Sequence, residues 1–185
     1  MQRIRCSYLF FNRNNMLNLK QFIFNPFQVN TFVLYDDSGA AIIIDPACYN
    51  QQEFGQLTAF IDERALAIKY LVNTHGHVDH LAGICRAKAT YGVPFIMHFA
   101  DNELVKDAVN HGLIFGLDVE PPPMPDQNLD ENDNLRFGNT TMEILHIPGH
   151  SPGSLVYFNR QEKFVIAGDV IFNGSIGRTD LPGGN

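Results

Sequence analysis

Positive charge, cysteine and long apolar runs are all scarce in this sequence. Its 185 residues include 13 Lys and Arg against 20 Asp and Glu, which gives a net charge of −7 at pH 7. No cluster of Lys or Arg occurs, so a nucleic-acid partner, which requires a basic face, is not expected. The same shortage argues against docking on anionic membranes. No segment has the roughly 20 apolar residues of a membrane span.

The three cysteines, Cys6, Cys48 and Cys85, are far apart and form no Cys-x-x-Cys pair. This spacing argues against a disulfide framework and favours a reducing compartment. We therefore expect a cytoplasmic protein.

The first residues do not have the pattern of the rest of the chain. Arg3 and Arg5 precede a short apolar stretch at 6–11. A signal peptide needs an apolar region of about 7–15 residues and a small-residue cleavage site, and neither is present. We predict that 1–15 form a disordered extension and that 16–185 form one domain.

The remainder alternates between strand and helix patterns. The apolar runs at 40–44 and 68–72 are typical of strands that are buried on both faces. Hairpin turns are indicated at 36–39 and 159–161. These features predict an α/β sandwich, in which two sheets pack together and helices lie outside. A doubly wound parallel sheet is the alternative, which the hairpin turns disfavour.

Three helices are predicted between the strands. Residues 51–64 have the apolar spacing of an amphipathic helix. A single helix is expected over 80–91, ending at Gly92. Asp101 is placed to cap a third helix that runs towards His111.

Four potential metal ligands follow the strand at 68–72 within six residues. They are His75, His77, Asp79 and His80. Imidazole and carboxylate groups together suit Zn, Fe or Mn. The carboxyl end of a sheet strand is also where α/β proteins usually place their sites. Three of the seven histidines of the chain lie in this segment, which makes an incidental cluster improbable.

Two further loops after predicted strands carry ligands of the same kind. Residues 148–153, Pro-Gly-His-Ser-Pro-Gly, present His150 on a sharp turn, and residues 168–169 present Asp169. A carboxylate has two oxygens and can bridge two ions. Either loop alone is a weak signal, whereas the three loops together predict a metal centre.

These motifs, in this order, resemble those of the metallo-β-lactamase superfamily. Asp45 matches the early aspartate of that pattern, and residues 168–180 resemble the glyoxalase II branch, the hydroxyacylglutathione hydrolases. The resemblance covers 16–185. It implies a four-layer αββα sandwich, here without its C-terminal strand and helix, and hydrolysis of a small thioester.

The resemblance also implies roles for individual residues. His75, His77 and His150 would hold one ion. Asp79, His80 and Asp169 would hold a second, with Asp169 bridging and Asp79 orienting the attacking water. Two zinc ions are expected in a complete protein, and iron and manganese are compatible with the same ligands. The residues expected around the ligands are Asp45, which would orient the histidine loop, Arg178, as an ion-pair partner or a contact to an anionic substrate group, and His98, which would line the pocket.

Two other functions are compatible with these motifs. One is a persulfide dioxygenase, which would use one iron held by His75, His150 and Asp169. The other is a metal-binding domain that catalyses no reaction. The family pattern has a further histidine, in a Gly-His-Gly loop, that this sequence lacks. We therefore expect the second ion to bind more weakly, and either a longer natural chain or a second chain, as in a homo-oligomer, to complete the fold.

Overall fold

The computed structural model describes residues 17–185, and the predicted extension at 1–15 lies outside them. The strands are β1 (Leu17–Phe24), β2 (Val29–Asp36), β3 (Ala40–Ile44), β4 (Ala67–Val72), β5 (Phe95–Met97), β6 (Gln127–Asn128), β7 (Asn134–Phe137), β8 (Thr140–His146), β9 (Leu155–Asn159), β10 (Phe164–Ile166), β11 (Ile171–Phe172) and β12 (Ser175–Ile176). The helices are α1 (Gln51–Glu63), α2 (Val78–Leu81), α3 (Ile84–Tyr91), α4 (Asn102–Lys106) and α5 (Ala108–Phe115), with a 3₁₀ turn at Phe99–Asp101.

The first sheet has six strands in the order β1-β2-β3-β4-β5-β6. Strands β1 to β3 are antiparallel neighbours, and β3 to β6 run parallel to one another. The hairpin turn predicted at 36–39 is confirmed, because it joins β2 to β3. The sheet is therefore mixed, and the doubly wound alternative is wrong.

The second sheet has four antiparallel strands in the order β10-β9-β8-β7. The turn predicted at 159–161 is confirmed, since Phe164 pairs with Asn159 across it. Strands β11 and β12 form a separate small hairpin after β10.

Strand β3 shows why the first sheet has a continuous apolar run. All five of its residues are buried. Ile43 faces the core beneath the helices, whereas Ile42 and Ile44 face the core between the two sheets. A strand covered on both faces has no position for a polar side chain.

The helix layer lies on one side of the first sheet. Asn50 caps α1 by accepting a hydrogen bond from the Glu53 amide. Phe54, Leu57 and Ile61 of α1 then pack into the core that also contains Ile43. Among residues 17–185, those buried in the core between the sheets come from strands and loops and none comes from a helix.

The fourth layer is absent from the part of the chain that the structure describes. Among residues 17–185, no helix follows Phe115. This agrees with the predicted αββα sandwich without its C-terminal strand and helix. No helix in the same range combines the length and apolar character that crossing a membrane requires.

The single helix predicted over 80–91 is wrong, because the segment divides into α2 and α3 around Gly83. The Gly83 amide donates to the carbonyl of Pro46 instead of to the preceding helical turn. A Cβ at Gly83 would lie 2.7 Å from that carbonyl oxygen. The close approach of the two backbones therefore interrupts the helix where a glycine permits it.

The prediction of one continuous helix from Asp101 towards His111 is also wrong. The chain makes the 3₁₀ turn, α4 and α5 in succession, and the Asp101 side chain caps none of them. Its carboxylate is bonded instead to two loops that follow β4 and β8.

Candidate metal centre

Four histidines meet where strands of the two sheets end. His75, His77 and His80 follow β4 of the first sheet, and His150 follows β8 of the second. All four side chains are buried. The structure thus brings together the histidines that the sequence places 75 positions apart.

Three of these histidines direct ring nitrogens at a common point. His150 Nε2 lies 2.9 Å from His77 Nδ1 and 3.2 Å from His75 Nε2. The three rings cross at 78–88°. A tetrahedral zinc ion with Zn–N bonds of 2.0–2.1 Å holds its nitrogens about 3.3 Å apart. The spacing and the crossed rings therefore suit one ion.

The opposite nitrogen of each ring bonds a group that fixes its tautomer. Carbonyl oxygens only accept, so a ring nitrogen facing one carries the proton and leaves the other nitrogen with its lone pair. These partners are Thr74 Oγ1 for His75 Nδ1 at 3.0 Å, the Pro182 carbonyl for His77 Nε2 at 3.3 Å, and the Arg178 carbonyl for His150 Nδ1 at 2.8 Å.

Asp45 orients the histidine loop through Thr74. Its buried carboxylate accepts hydrogen bonds from the Thr74 amide at 2.7 Å and the Thr74 hydroxyl at 2.8 Å. Because that hydroxyl donates to Asp45, its oxygen is free to accept from His75 Nδ1. Asp45 therefore acts on His75 through an intervening threonine, a residue that we did not single out from the sequence.

A second group of ligands adjoins the first. His75, His80 and Asp169 offer ligand atoms that lie within 4.8 Å of one another. Asp169 Oδ1 is 3.4 Å from His80 Nε2, and Asp169 Oδ2 is 3.7 Å from His150 Nε2. The two oxygens thus face different groups. Asp79 Oδ2 lies 3.9 Å from His80 Nε2, at the edge of this second group.

Burial keeps two of the histidines neutral. It lowers the pKa of His75 well below its ordinary value of 6.5, and the neighbouring His80, His77 and His150 lower it further. Burial also lowers the pKa of His77, followed by the effect of His150. Neutral imidazole is the form that binds metals.

His80 has the opposite charge preference. Burial alone would lower its pKa, but the carboxylates of Asp45, Asp169 and Asp79 outweigh burial and raise the pKa well above 6.5. Burial likewise opposes the charge on Asp169, but the effects of His80, followed by those of His150 and His77, together outweigh burial, so the pKa of Asp169 falls. His80 and Asp169 therefore form an ion pair, at 3.4 Å.

His98 lies outside both groups, in a cluster with Asp130 and His146. The two imidazoles are stacked, with centroids 4.1 Å apart and planes at 15°. Ring-nitrogen lone pairs lie in the ring plane, so stacked rings do not converge on one ion as the crossed rings do. His98 Nδ1 also accepts from the Ala100 amide, and His146 Nε2 donates to the Pro152 carbonyl.

Arg178 meets the centre through its backbone. Its carbonyl accepts from His150, whereas its guanidinium makes a bidentate pair with Asp180 at 2.6 Å and is 61% exposed. The geometry matches the ion-pair interpretation and leaves the anionic-substrate contact unsupported.

Solved structures of similar proteins share this architecture. The crystal structure of the BLEG-1 B3 metallo-beta-lactamase has a TM-score of 0.81 and 31% identity, covering 91% of this chain and 79% of that one. The structure of TTHA1623 in a di-iron-bound form has a TM-score of 0.79 and 31% identity, covering 90% of this chain and 79% of that one.

Relatives in sequence include named hydrolases. The hydroxyacylglutathione hydrolase GloC of Haemophilus influenzae is 34% identical over 91% of this chain and 79% of its own length. The probable metallo-hydrolase YqgX of Bacillus subtilis is 33% identical over 86% of this chain and 74% of its own length.

The sequence profile of one family spans the strands and loops that carry all of these ligands. It matches residues 24–185, from the end of β1 to the last residue described. Together with the histidine-rich centre, this match shows that the chain is a metallo-hydrolase and belongs to the metallo-beta-lactamase superfamily.

Proposed function

We propose that this protein is a metal-dependent thioesterase that cleaves small thioesters of the hydroxyacylglutathione class. The observation that carries the proposal is the pair of adjoining ligand groups, joined by the two oxygens of Asp169. The name of the H. influenzae relative supports the substrate class.

The donor set fits two divalent ions. His75, His77 and His150 would hold the first, and the neutral state of His75 and His77 prepares them for it. His80, Asp79 and Asp169 would hold the second, and His80 would release its proton as the ion replaces it. Zinc is the proposed metal. Iron suits the same donors, and the di-iron form of TTHA1623 supports that variant.

The chemistry divides between the ions and the chain. When bound, the ions supply Lewis acidity, which acidifies water and polarises a carbonyl group. The Asp79 carboxylate would accept a hydrogen bond from the attacking water and orient it. The sheet ends hold the four imidazoles in place, and Asp45 maintains the orientation of His75 through Thr74.

The ease with which the leaving group departs favours a thioester substrate over an amide. A thiol of pKa near 8.5 departs as a thiolate without a strong general acid, whereas an amine must be protonated. Beyond Asp79, the two ligand groups within 17–185 contain no carboxylate other than Asp169, whose two oxygens face the histidines. This donor set is therefore better suited to a good leaving group.

The test is a thioesterase assay with controlled metal loading. Metal-free protein is reconstituted with zinc, iron or manganese, its metal content is measured, and loss of a hydroxyacylglutathione thioester is followed by absorbance. We expect metal-dependent turnover that His150→Ala abolishes. A fully loaded, folded protein without thioester turnover contradicts the proposal. Parallel assays of a chromogenic β-lactam, and of oxygen uptake with a persulfide after iron loading, would then identify a lactamase or a dioxygenase.

A further inference from the structure

One buried carboxylate lies behind the metal centre without belonging to either ligand group. Asp101 ends the 3₁₀ turn after β5, and its side chain is 0% exposed. Its Oδ2 accepts hydrogen bonds from the Gly76 amide and the Ser151 hydroxyl, both at 2.7 Å, and its Oδ1 accepts one from the Gly153 amide at 2.6 Å.

These donors come from both histidine loops. Gly76 separates His75 from His77 in the loop after β4 of the first sheet, while Ser151 and Gly153 follow His150 in the loop after β8 of the second. Hydrogen bonds to a carboxylate are shorter and stronger than those between neutral groups. Asp101 therefore connects, with three such bonds, the loops that bring His77 and His150 within 2.9 Å of each other.

The glycines of the two motifs are explained by the same carboxylate. A Cβ at Gly76 would lie 2.8 Å from Asp101 Cβ, and one at Gly153 would lie 2.8 Å from Asp101 Cγ. Neither glycine has a positive φ. Close packing against Asp101, and not backbone conformation, is therefore the reason that these two positions have no side chain. Both loops thus leave room for a carboxylate against their backbones.

We propose that Asp101 is a positioning residue of the metal centre, which sets the distance between the His75–His77 loop and His150. The proposal deepens the proposed function, since it concerns the same centre, but metal binding tests it without any assay of hydrolysis. Within the part of the chain that the structure describes, Asp101 belongs to neither group of ligands. Its effect is therefore expected in metal affinity and coordination geometry.

The test is Asp101→Asn in the full chain. The amide has a similar size, but its NH₂ group cannot accept a hydrogen bond and would face an N–H or O–H donor. We expect the affinity for the first zinc ion, measured by competition with a chromogenic chelator, to fall 10–100-fold, as for other residues that support metal ligands. The d–d absorption of the cobalt-substituted protein should also change, which a loss of stability alone would not cause.

Asp36→Asn provides a matched control. Asp36 is likewise buried and accepts several hydrogen bonds, but it lies at the opposite end of the first sheet, where β2 ends. We expect this variant to lose stability and to keep the wild-type zinc affinity and cobalt spectrum. If Asp101→Asn, measured where both proteins are folded, binds zinc within twofold of the wild type with an unchanged spectrum, the positioning role is wrong.

Ser151→Ala decides the question if Asp101→Asn does not fold. It removes one of the three donors and leaves the carboxylate in place. A several-fold loss of zinc affinity supports the positioning role, and an unchanged affinity overturns it. A wild-type chain that binds no metal would instead refute the proposed function, so the two failures are distinguishable.

Discussion

The chemistry of each imidazole depends on which of its two nitrogens carries the proton. In His75, His77 and His150 the outer nitrogen is bonded to a hydroxyl or carbonyl oxygen, which leaves the inner nitrogen as a ligand. The ligand atom is Nε2 in His75 and His150 and Nδ1 in His77. The two histidines of the His-Gly-His segment thus present different ring atoms to the same point.

Removing a histidine of the first group should empty that group. We predict that His75→Ala and His150→Ala each lose one equivalent of metal, and that hydrolysis falls by more than about 100-fold, since even supporting residues cost 10–100-fold. Elemental analysis and turnover of the purified variants measure both effects, and circular dichroism reports the fold. His111→Ala is the control, because His111 on α5 pairs with Asp107, just before that helix, and belongs to neither ligand group of the described residues. Wild-type turnover in either ligand variant at trace metal would exclude the first group as the ion site.

Loss of Asp169 and loss of Asp79 should have different effects on the metal content of the protein. Asp169 faces both groups, at 3.4 and 3.7 Å, whereas the Asp79 carboxylate lies 3.9 Å from His80 at the edge of the second group. We predict that Asp169→Ala lowers the total metal content more than Asp79→Ala does. Elemental analysis after dialysis against a weak chelator makes the comparison. Equal metal content in Asp169→Ala and the wild type would contradict a bridging role.

Sequence patterns located the ligands better than their supports. The histidines and Asp169 are recognisable because they are dense or follow apolar strands. Thr74 and Asp101 act through contacts that exist only after folding: Asp101 is 25 residues from Gly76 and 50 from Ser151. The bonding of Arg178 also depends on folding, because its backbone carbonyl makes the contact with His150.

At the level of secondary structure, burial decided which predictions succeeded. The strand at 40–44 and the helix at 51–64 were predicted because each has a long apolar pattern, and both are present, the helix as Gln51–Glu63. Strands β6 and β7 were not predicted, since β6 has two exposed polar residues and β7 has four residues. The division of helix 80–91 depends on contact of Gly83 with Pro46, which no local pattern records.

Asp36 connects the two sheets at the end remote from the histidines. Its carboxylate accepts from Ser38 in its own turn, and from the Asn139 amide and the Thr140 hydroxyl where β8 begins. Burial by itself would raise the pKa of Asp36, but these hydrogen bonds outweigh it and lower the pKa below its ordinary value of 3.8. Folding therefore favours the charged carboxylate.

The stability contributed by Asp36 should depend on pH. Because its folded pKa is depressed, the contribution is present above pH 3.8 and is lost as the pH falls through the folded pKa. We predict that Asp36→Asn lowers the free energy of unfolding by about 1–3 kcal/mol at pH 7, the cost of buried donors without an acceptor. Urea titrations of variant and wild type should show this difference shrinking below pH 3.8.

Asp37→Asn is the control for that series, because Asp37 is adjacent and exposed. It should change stability little at any pH. A difference between Asp36→Asn and the wild type that stays constant from pH 7 to pH 3 would contradict the role assigned to the charged carboxylate.

On the scale of the molecule, the general architecture was predictable and its strand order was not. Hairpin turns and buried strands indicate two packed sheets, but they do not specify that β3 pairs with β4 in parallel or that β7 and β10 form the edges of the second sheet. Those pairings depend on contacts between distant segments. They also determine that loops from both sheets supply the ligands. The loop after β4 of the first sheet carries His75, His77 and His80, and the loop after β8 of the second carries His150.

Metal binding should therefore stabilise both sheets together. An ion that binds only the folded state adds about 4 kcal/mol when its free concentration is a thousand times Kd, which raises Tm by about 8–16 °C for a domain of this size. We predict one cooperative thermal transition, because the two sheets that supply the ligands unfold together. Its midpoint temperature should rise with zinc and return to the metal-free value when a chelator is added. Calorimetry of metal-free and zinc-loaded protein measures this shift, and His150→Ala, which removes the ligand of the second sheet, should lose most of it. Two separate transitions, of which only one moves with zinc, would mean that the centre does not couple the sheets.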